Sequence, residues 1–497
     1  MNLSKSKIIA YRQCPKKLWL EINNPELKLE SSAAKKSFAV GNAVGEIAQS
    51  IYDPEGKGTL IDPFQDGFAA AFEQTEILLK GEGPVFEAAF TAKGALALAD
   101  VMLPVTTDGQ KKWKMIEVKS SASVKGYQRD DVAVQSYIAN EVGVDLESAS
   151  VACIDSKWTY PGDGDYSGLL KEADLTEASF NRFKEVEDWI DGAQATLIEK
   201  AEPKIEIGGQ CTAPYECSFI SYCNKDNPVS EYPVQWIPRR QKKELKEFIA
   251  DNEIVDMEGV PDSLLNEVQQ RVKHATLSGE IYFDHEGAGE FLGDQKYPAY
   301  FIDFETINLA IPRWAGTRPF QQVPFQFSVH VLLESGEVEH KEFLDISGTD
   351  PREGFARELL GCCGESGPVY VYNIGFERGK IVEIAEAFPE YADGLLAIAD
   401  RLVDLLLLTR KYYYHPDQHG SWSIKAVLPT VVPELRYDDL DGVQDGGMAM
   451  DAFEEAISDT TSAERKEEIR TQLLKYCELD TYAMVKLWGF FRGTSHD

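Results

Sequence analysis

The sequence predicts an α/β protein of more than one domain, on three observations. First, Tyr300–Thr306 reads Tyr-Phe-Ile-Asp-Phe-Glu-Thr, an apolar strand in which Asp303 and Glu305 share one face, because side chains alternate along a strand. Second, Lys112–Lys119 is another strand, with Glu117 and Lys119 on one face and Val118 opposite. Third, strand-like runs (Gln326–Leu333, Val369–Asn373) alternate with helical patterns (Glu353–Leu360, Leu473–Leu487), the mixture of a layered α/β sheet. At 497 residues there is room for two or three domains, each with its own core.

The Tyr300–Thr306 strand sets the chemistry. Its flanks are apolar enough for a buried sheet, and burying two unpaired carboxylates is costly. A divalent cation with oxygen ligands resolves that cost. The plain alternative is an edge strand with both acids in water. Further acids favour the cation: Glu377 follows the Val369 strand, and Tyr476 and Asp480 share a helix face at i and i+4.

Composition limits the function classes. The hydrophobic fraction is 43%, ordinary for a globular chain. No stretch approaches the roughly 20 apolar residues of a membrane helix. The basic start Met1–Lys7 leads into no apolar run or cleavage site, so a cytoplasmic protein is expected. A net charge of -33 argues against loose, charge-driven nucleic-acid binding, while metal-holding carboxylates count toward that total. The 8 cysteines of a cytosolic chain are not expected to pair as disulfides.

Taken in order, Ser4–Leu20 predicts a helix capped by Ser4 and interrupted at Cys14-Pro15. Phe38–Tyr52 is a helix holding Glu46, with Gly41 and Gly45 suggesting close approach of another backbone; the plain reading of Glu46 is a solvated residue. Strands follow at Pro84–Phe90 with Glu87, Ala95–Val101 with Asp100, and Lys112–Lys119. A helix over Asp130–Glu141 carries Gln135 and Tyr137. Cys211, Cys217 and Cys223 then stand at even spacing, with Cys14 far upstream. Cys153, Cys362 and Cys363 read as core, and Cys477 as packing. Asn224–Tyr232 is a polar boundary, Pro238–Ser278 a charged helical stretch, and Tyr282–Tyr297 a second linker with a short strand. Arg239–Lys243 is its most basic run, read equally as a backbone-tracking patch or a solvated helix start. Asp404 reads as a cap. His415 and His419 are four apart, but Pro416 opposes a helical zinc pair.

Asp-x-Glu on a strand, an acid after a second strand, and Tyr-x-x-x-Asp on a helix resemble the DnaQ-like 3′–5′ exonucleases of the subclass ending in tyrosine, over roughly Pro298 to Phe491. Glu377 stands where that family has aspartate. The resemblance implies an RNase H-like fold in which Asp303, Glu305, Glu377 and Asp480 hold Mg²⁺ or Mn²⁺ and Tyr476 orients the attacking water.

The ordered set Asp100, Glu117, Lys119 and Gln135 resembles the PD-(D/E)XK nuclease core, in its RecB-like branch, although Ala99 precedes Asp100 where the motif's name has proline. This implies a restriction-endonuclease-like domain. Asp100 and Glu117 would hold the metal, with Glu46 and Glu87 completing its shell. Lys119 would orient water or stabilise charge on the phosphate. Gln135 and Tyr137 would contact substrate or brace the lysine. One cysteine before this core and three after it resemble the four-cysteine [4Fe–4S] site of AddB-type nucleases and CRISPR-adaptation relatives, with looser spacing. Four thiolates also suit zinc, though not in ordinary ribbon spacing.

Nearly the whole chain thus resembles a bacterial family of largely uncharacterised predicted nucleases in which a RecB-like domain with four cysteines is fused to a DnaQ-like domain. The implied organisation is a RecB-like domain with its cluster at 1–225, a helical connector at 226–297 and an exonuclease domain at 298–497. The expected activity is metal-dependent cleavage of DNA ahead of RNA. The rival expectation is a scaffold or redox-sensing iron–sulfur protein with one or both sites inactive.

Overall fold

Two units divide the chain in the computed structural model: Met1–Asn227 with Leu309–Phe320, and Pro228–Asn308 with Gln321–Asp497. It describes residues 2–29, 32–225, 230–240, 242–294 and 296–493. Gln241 of the basic run, Gln295, and residues 226–229 of the polar boundary lie outside the described residues. The chain is mixed α/β with several sheets, and no helix among the described residues is long and apolar enough to cross a membrane.

The first unit is organised by a seven-stranded sheet. Its strands are β1 (Leu3–Ser4), β2 (Thr59–Leu60), β3 (Val85–Ala92), β4 (Ala95–Thr107), β5 (Gln110–Lys119), β6 (Leu146–Ile154) and β7 (Leu170–Asp174). Order runs β2-β3-β4-β5-β6-β7, with β1 parallel to β4. Two-residue turns, Lys93-Gly94 and Asp108-Gly109, join β3 to β4 and β4 to β5. All four residues have positive φ (51° to 77°), the backbone of the tight hairpin turn, and this fixes register. That register pairs Phe86 with Val101 and Ala88 with Ala99, and so sets Glu87 across from Asp100. Helix Gly126–Glu141 crosses from β5 to the parallel β6. It starts before the predicted Asp130 because the Gln128 side chain accepts from the Lys125 amide at 2.7 Å and closes a cap. Pro15 ends helix Lys5–Gln13 and opens helix Pro15–Asn23.

The second unit holds a five-stranded sheet in the order β11-β10-β9-β12-β13. After the short β8 (Tyr282–Phe283) come β9 (Ala299–Ile307), β10 (Val323–Leu332), β11 (Val338–Leu344), β12 (Val369–Val371), β13 (Leu402–Asp404) and β14 (Tyr413–Tyr414). Strands β9, β12 and β13 are parallel, while β10 and β11 are antiparallel. Alternation along β9 splits its residues between two cores. Ile302 and Phe304 pack with Phe355, Leu359 and Ile381 of the helices on one face. Phe301 packs on the other, against Tyr370 of β12 and Trp488 of the long helix Ala463–Arg492. Asp303 and Glu305 therefore face that helix.

The stretch read as a connector packs within this unit: β8 pairs with β14, and Val272 and Ala275 of helix Glu267–Ser278 join the core that holds Tyr414. Tyr282–Tyr297, expected as a linker, also contains helix His285–Leu292, capped by Asp284 through the Gly287 amide at 2.9 Å.

Candidate active sites

Helix Ala463–Arg492 brings Asp480 to the acid-bearing face of β9. Asp303, Glu305 and Asp480 each offer a carboxylate oxygen, and the three oxygens lie within 4.8 Å of one another. Burial, then the charges of Asp480, Glu305 and Glu377, push the Asp303 carboxyl well above its ordinary range. Burial and Asp480 push Glu305 to about 8, and burial raises Asp480 to about 6. Three carboxyls held this way are poised for a cation to replace the protons.

Glu377 stands outside that tight set. It is buried in the first turn of helix Ile374–Ala387, where burial and then Asp404 push it to about 8. Its Oε2 has no hydrogen-bond partner among the described residues. An orphaned buried carboxylate oxygen calls for an explanation. Together with an oxygen-only donor set, it fits hard divalent cations of the Mg²⁺ or Mn²⁺ kind. Asp404 caps helix Leu405–Tyr412 through the Leu407 amide at 3.1 Å, as its sequence context predicts.

Tyr476 is buried with its hydroxyl against Asp480. Two residues that sequence reasoning missed join it. The Tyr437 hydroxyl donates to Asp480 Oδ1 at 2.6 Å. Lys425 Nζ lies 5.1 Å from both the Tyr437 and Tyr476 ring centroids, and its charge lowers the Glu305 and Asp480 carboxyls. No local pattern marks either residue, since Tyr437 sits on a 3₁₀ turn and Lys425 on the short helix Ile424–Val431. Elsewhere in this unit, a cavity of about 780 Å³ is lined by Arg239, Tyr372, Asn373, Arg410 and Trp422. His415 accepts from the Asp417 amide and His419 stacks on Trp236 at 4.0 Å, so Pro416 leaves them with separate roles.

In the first unit Asp100, Glu117 and Glu87 feel one another's charge, without forming a set as tight as Asp303, Glu305 and Asp480 among the described residues. Glu117 is 1% exposed and takes hydrogen bonds from Lys119 (2.5 Å) and Lys5 (2.6 Å) on Oε1 and from Gln135 on Oε2. Burial alone would raise its carboxyl, but Lys119 and Lys5 outweigh that and hold it at about 2. Burial and the Glu117 charge push Asp100 to about 8, although it accepts from the Val118 amide at 2.6 Å. Glu87 joins them, raised by burial and by Glu117. It holds a left-handed backbone, φ 56°, which costs a non-glycine about 1–3 kcal/mol and persists where its surroundings enforce it. The donor set again consists of carboxylate oxygens and suits Mg²⁺ or Mn²⁺.

Four expectations need correction here. Glu46 is exposed on helix Ser32–Tyr52 and contacts none of these groups, and a Cβ at Gly41 or Gly45 would meet nothing within 4 Å, so those glycines mark no close approach. Tyr137 is core, edge-on to Phe183 at 5.7 Å, because residues two apart on a helix face different ways. Gln135 braces Glu117 rather than the lysine. Asp131, one turn before Gln135, braces Lys119 at 3.2 Å; the i, i+4 spacing was the signal for it. Lys5 had no such signal.

Cys14, Cys211, Cys217 and Cys223 line one small cavity with Lys16, Lys17 and Leu20. Gln13 ties the two segments together by donating to the Gln210 and Tyr215 carbonyls at 2.9 and 2.8 Å. Burial pushes the Cys217 and Cys223 thiols up. All eight cysteines are unbridged, and Cys477 packs with Sγ 3.8 Å from the Asp303 carbonyl oxygen.

A domain of unknown function (DUF2779) matches residues 300–423, a span containing Asp303, Glu305 and Glu377 but ending before Tyr437, Tyr476 and Asp480. The chain is 26% identical over 221 residues to the uncharacterized protein MG366 of Mycoplasma genitalium, covering 40% of this chain and 32% of that protein. It is 25% identical over 271 residues to the uncharacterized protein UU173 of Ureaplasma parvum, covering 50% and 39%. The chain therefore spans about a third to two fifths of the length of these curated relatives.

Proposed function

We propose that this protein is a metal-dependent nuclease that hydrolyses phosphodiester bonds in DNA, with a 3′–5′ exonuclease site in the second unit and a RecB-like site in the first. The observation that carries the reading is the convergence of Asp303, Glu305 and Asp480 from a strand and a distant helix, with Glu377, whose charge also acts on Asp303, holding an orphaned oxygen outside that set. Bound Mg²⁺ or Mn²⁺ would supply a Lewis acid and a water nucleophile at neutral pH. Asp303, Glu305, Glu377 and Asp480 would hold it. Tyr437 fixes the orientation of Asp480 by its hydrogen bond. Tyr476, whose hydroxyl burial keeps protonated, is suited to orienting a water and not to taking its proton. Lys425 offers positive charge beside the acids, suited to a phosphate oxygen. The cavity lined by Tyr372, Trp422, Arg239 and Arg410 combines aromatic faces with guanidinium groups, the pairing that holds a base and its phosphate.

In the first unit, Asp100, Glu117 and Glu87 would hold the cation, and Lys119 would stabilise developing charge. The four cysteines are the ligands we assign to an iron–sulfur cluster that pins the unit's ends; their shared cavity supports a common ligand. The rival reading, an inactive first site serving as scaffold, draws on one observation: both Glu117 oxygens are already engaged.

The test is release of nucleotides from end-labelled single- and double-stranded DNA and RNA, with Mn²⁺ or chelator. Wild type is compared with Asp303→Asn, Lys119→Met and the double variant. Metal-dependent cleavage lost in Asp303→Asn supports the second site; cleavage unchanged in the double variant rejects both assignments. A loss confined to Asp303→Asn leaves the first unit as scaffold.

A further inference from the structure

Strands β10 and β11 carry two histidines with no place in either acid site. His330 and His340 are cross-strand partners, and their rings stack with centroids 4.6 Å apart. Glu478 reaches them from helix Ala463–Arg492, its Oε1 lying 3.8 Å from His340 Nδ1. One ligand atom from each of the three residues lies within 4.8 Å of the other two. None of the three belongs to the Asp303, Glu305, Asp480 set. His330 is buried, His340 partly so, and Glu478 half exposed, which leaves a way in from solvent along the Glu478 side.

Two hydroxyls decide which imidazole nitrogens are free. Thr481 Oγ1 lies 3.1 Å from the Glu478 carbonyl oxygen, 2.8 Å from His330 Nδ1 and 2.6 Å from Ser328 Oγ. Ser328 Oγ lies 2.9 Å from His340 Nε2. One self-consistent proton arrangement satisfies all of these contacts. Thr481 donates to the helix carbonyl and accepts from Ser328 and from His330 Nδ1–H. Ser328 in turn accepts from His340 Nε2–H. His330 Nε2 and His340 Nδ1 are then unprotonated. An imidazole oriented by a hydrogen bond at one nitrogen and open at the other is how histidine is presented to a metal.

We propose that His330, His340 and Glu478 form a binding site for a transition-metal ion of the zinc class. Two imidazole nitrogens and one carboxylate are that class's donors, in contrast to the oxygen-only sets of the acid sites. The bland account is two histidines satisfied by hydroxyls beside a solvated glutamate, and it predicts no ion. A bound ion would tie β10 and β11 to the helix that carries Tyr476 and Asp480. Its role would be positional, and the inference does not depend on nuclease activity.

The experiment uses the 497-residue chain, stripped with chelator, dialysed against Zn²⁺ at a fixed buffered concentration and counted by mass spectrometry. Zinc held at the acids or the cysteines is common to wild type, His340→Ala and Glu478→Gln, and any change at the acids is common to Asp303→Asn and its double variant, so differences within each set isolate this site. His340→Ala and Glu478→Gln, both at partly or half-exposed side chains and checked for fold by circular dichroism, should each lose one equivalent per chain. Asp303→Asn should keep that equivalent, and adding His340→Ala to it should remove it. A wild-type zinc count in His340→Ala or in Glu478→Gln overturns the proposal.

Discussion

Replacing Asp303 with Asn should make the metal-free protein more stable while removing activity from the second unit. The reason is proton linkage. Burial and the charges of Asp480, Glu305 and Glu377 raise the folded carboxyl well above its ordinary 3.8. The folded state therefore binds a proton that the unfolded chain has released. Stability from this group is fully present below about pH 4 and is lost as pH climbs toward the folded pKa. Each pH unit in that window costs up to about 1.4 kcal/mol. Asn cannot titrate and escapes the cost. Above about pH 4, in chelator, the variant's advantage should grow with pH by up to about 1.4 kcal/mol per pH unit until the folded carboxyl ionises, less where solvent reaches Asp303. Mn²⁺ should reverse the order, because an ion at 100 times its Kd stabilises the wild type by about 2.7 kcal/mol. Losing an outer-shell partner of a metal costs about 10–100-fold in activity, so losing a ligand should cost no less. Urea unfolding at three pH values, with chelator and with Mn²⁺, reads the stability terms. A variant no more stable than wild type at about pH 8 in chelator, or stabilised equally by Mn²⁺, would refute the reasoning.

Other perturbations have definite signs. Tyr437→Phe removes a 2.6 Å hydrogen bond to Asp480 and should cost about 1.5–3 kcal/mol in unfolding experiments, with roughly 10–100-fold less nuclease activity. Lys119→Met leaves the buried Glu117 carboxylate with Lys5 as its one remaining cation and should destabilise by about 1.5–3 kcal/mol near neutral pH. Because the Glu117 carboxyl is depressed to about 2, its contribution is present above about pH 4.5 and disappears as pH falls toward 2. The acid-unfolding midpoint of Lys119→Met should therefore move to higher pH. Tyr137→Phe, a core change away from both sites, should leave cleavage within about twofold and shift stability by no more than about 1 kcal/mol, which paired activity and unfolding measurements check. Anaerobically purified wild type should carry about four iron atoms per chain. Cys217→Ser should lose them, and iron equal in both proteins would count against the cluster.

What could be read along the chain was whatever a short repeat encodes. Alternation on β9 put Asp303 and Glu305 together, alternation on β5 put Glu117 beside Lys119, and one helical turn joined Tyr476 to Asp480. Such periods follow from backbone geometry alone and hold wherever the element ends up. The same rule, applied strictly, separates Tyr137 from Gln135 and finds Asp131. Only the tertiary structure brought in Lys5, Lys425 and Tyr437, excluded Glu46, and set His330 against His340 and Glu478. These positions depend on strand order and on which helix covers which face, and neither is fixed by neighbours in sequence. Glu377 shows both levels at once: its place after a strand is local, but the burial of its Oε2 without a hydrogen-bond partner among the described residues arises from packing around the sheet.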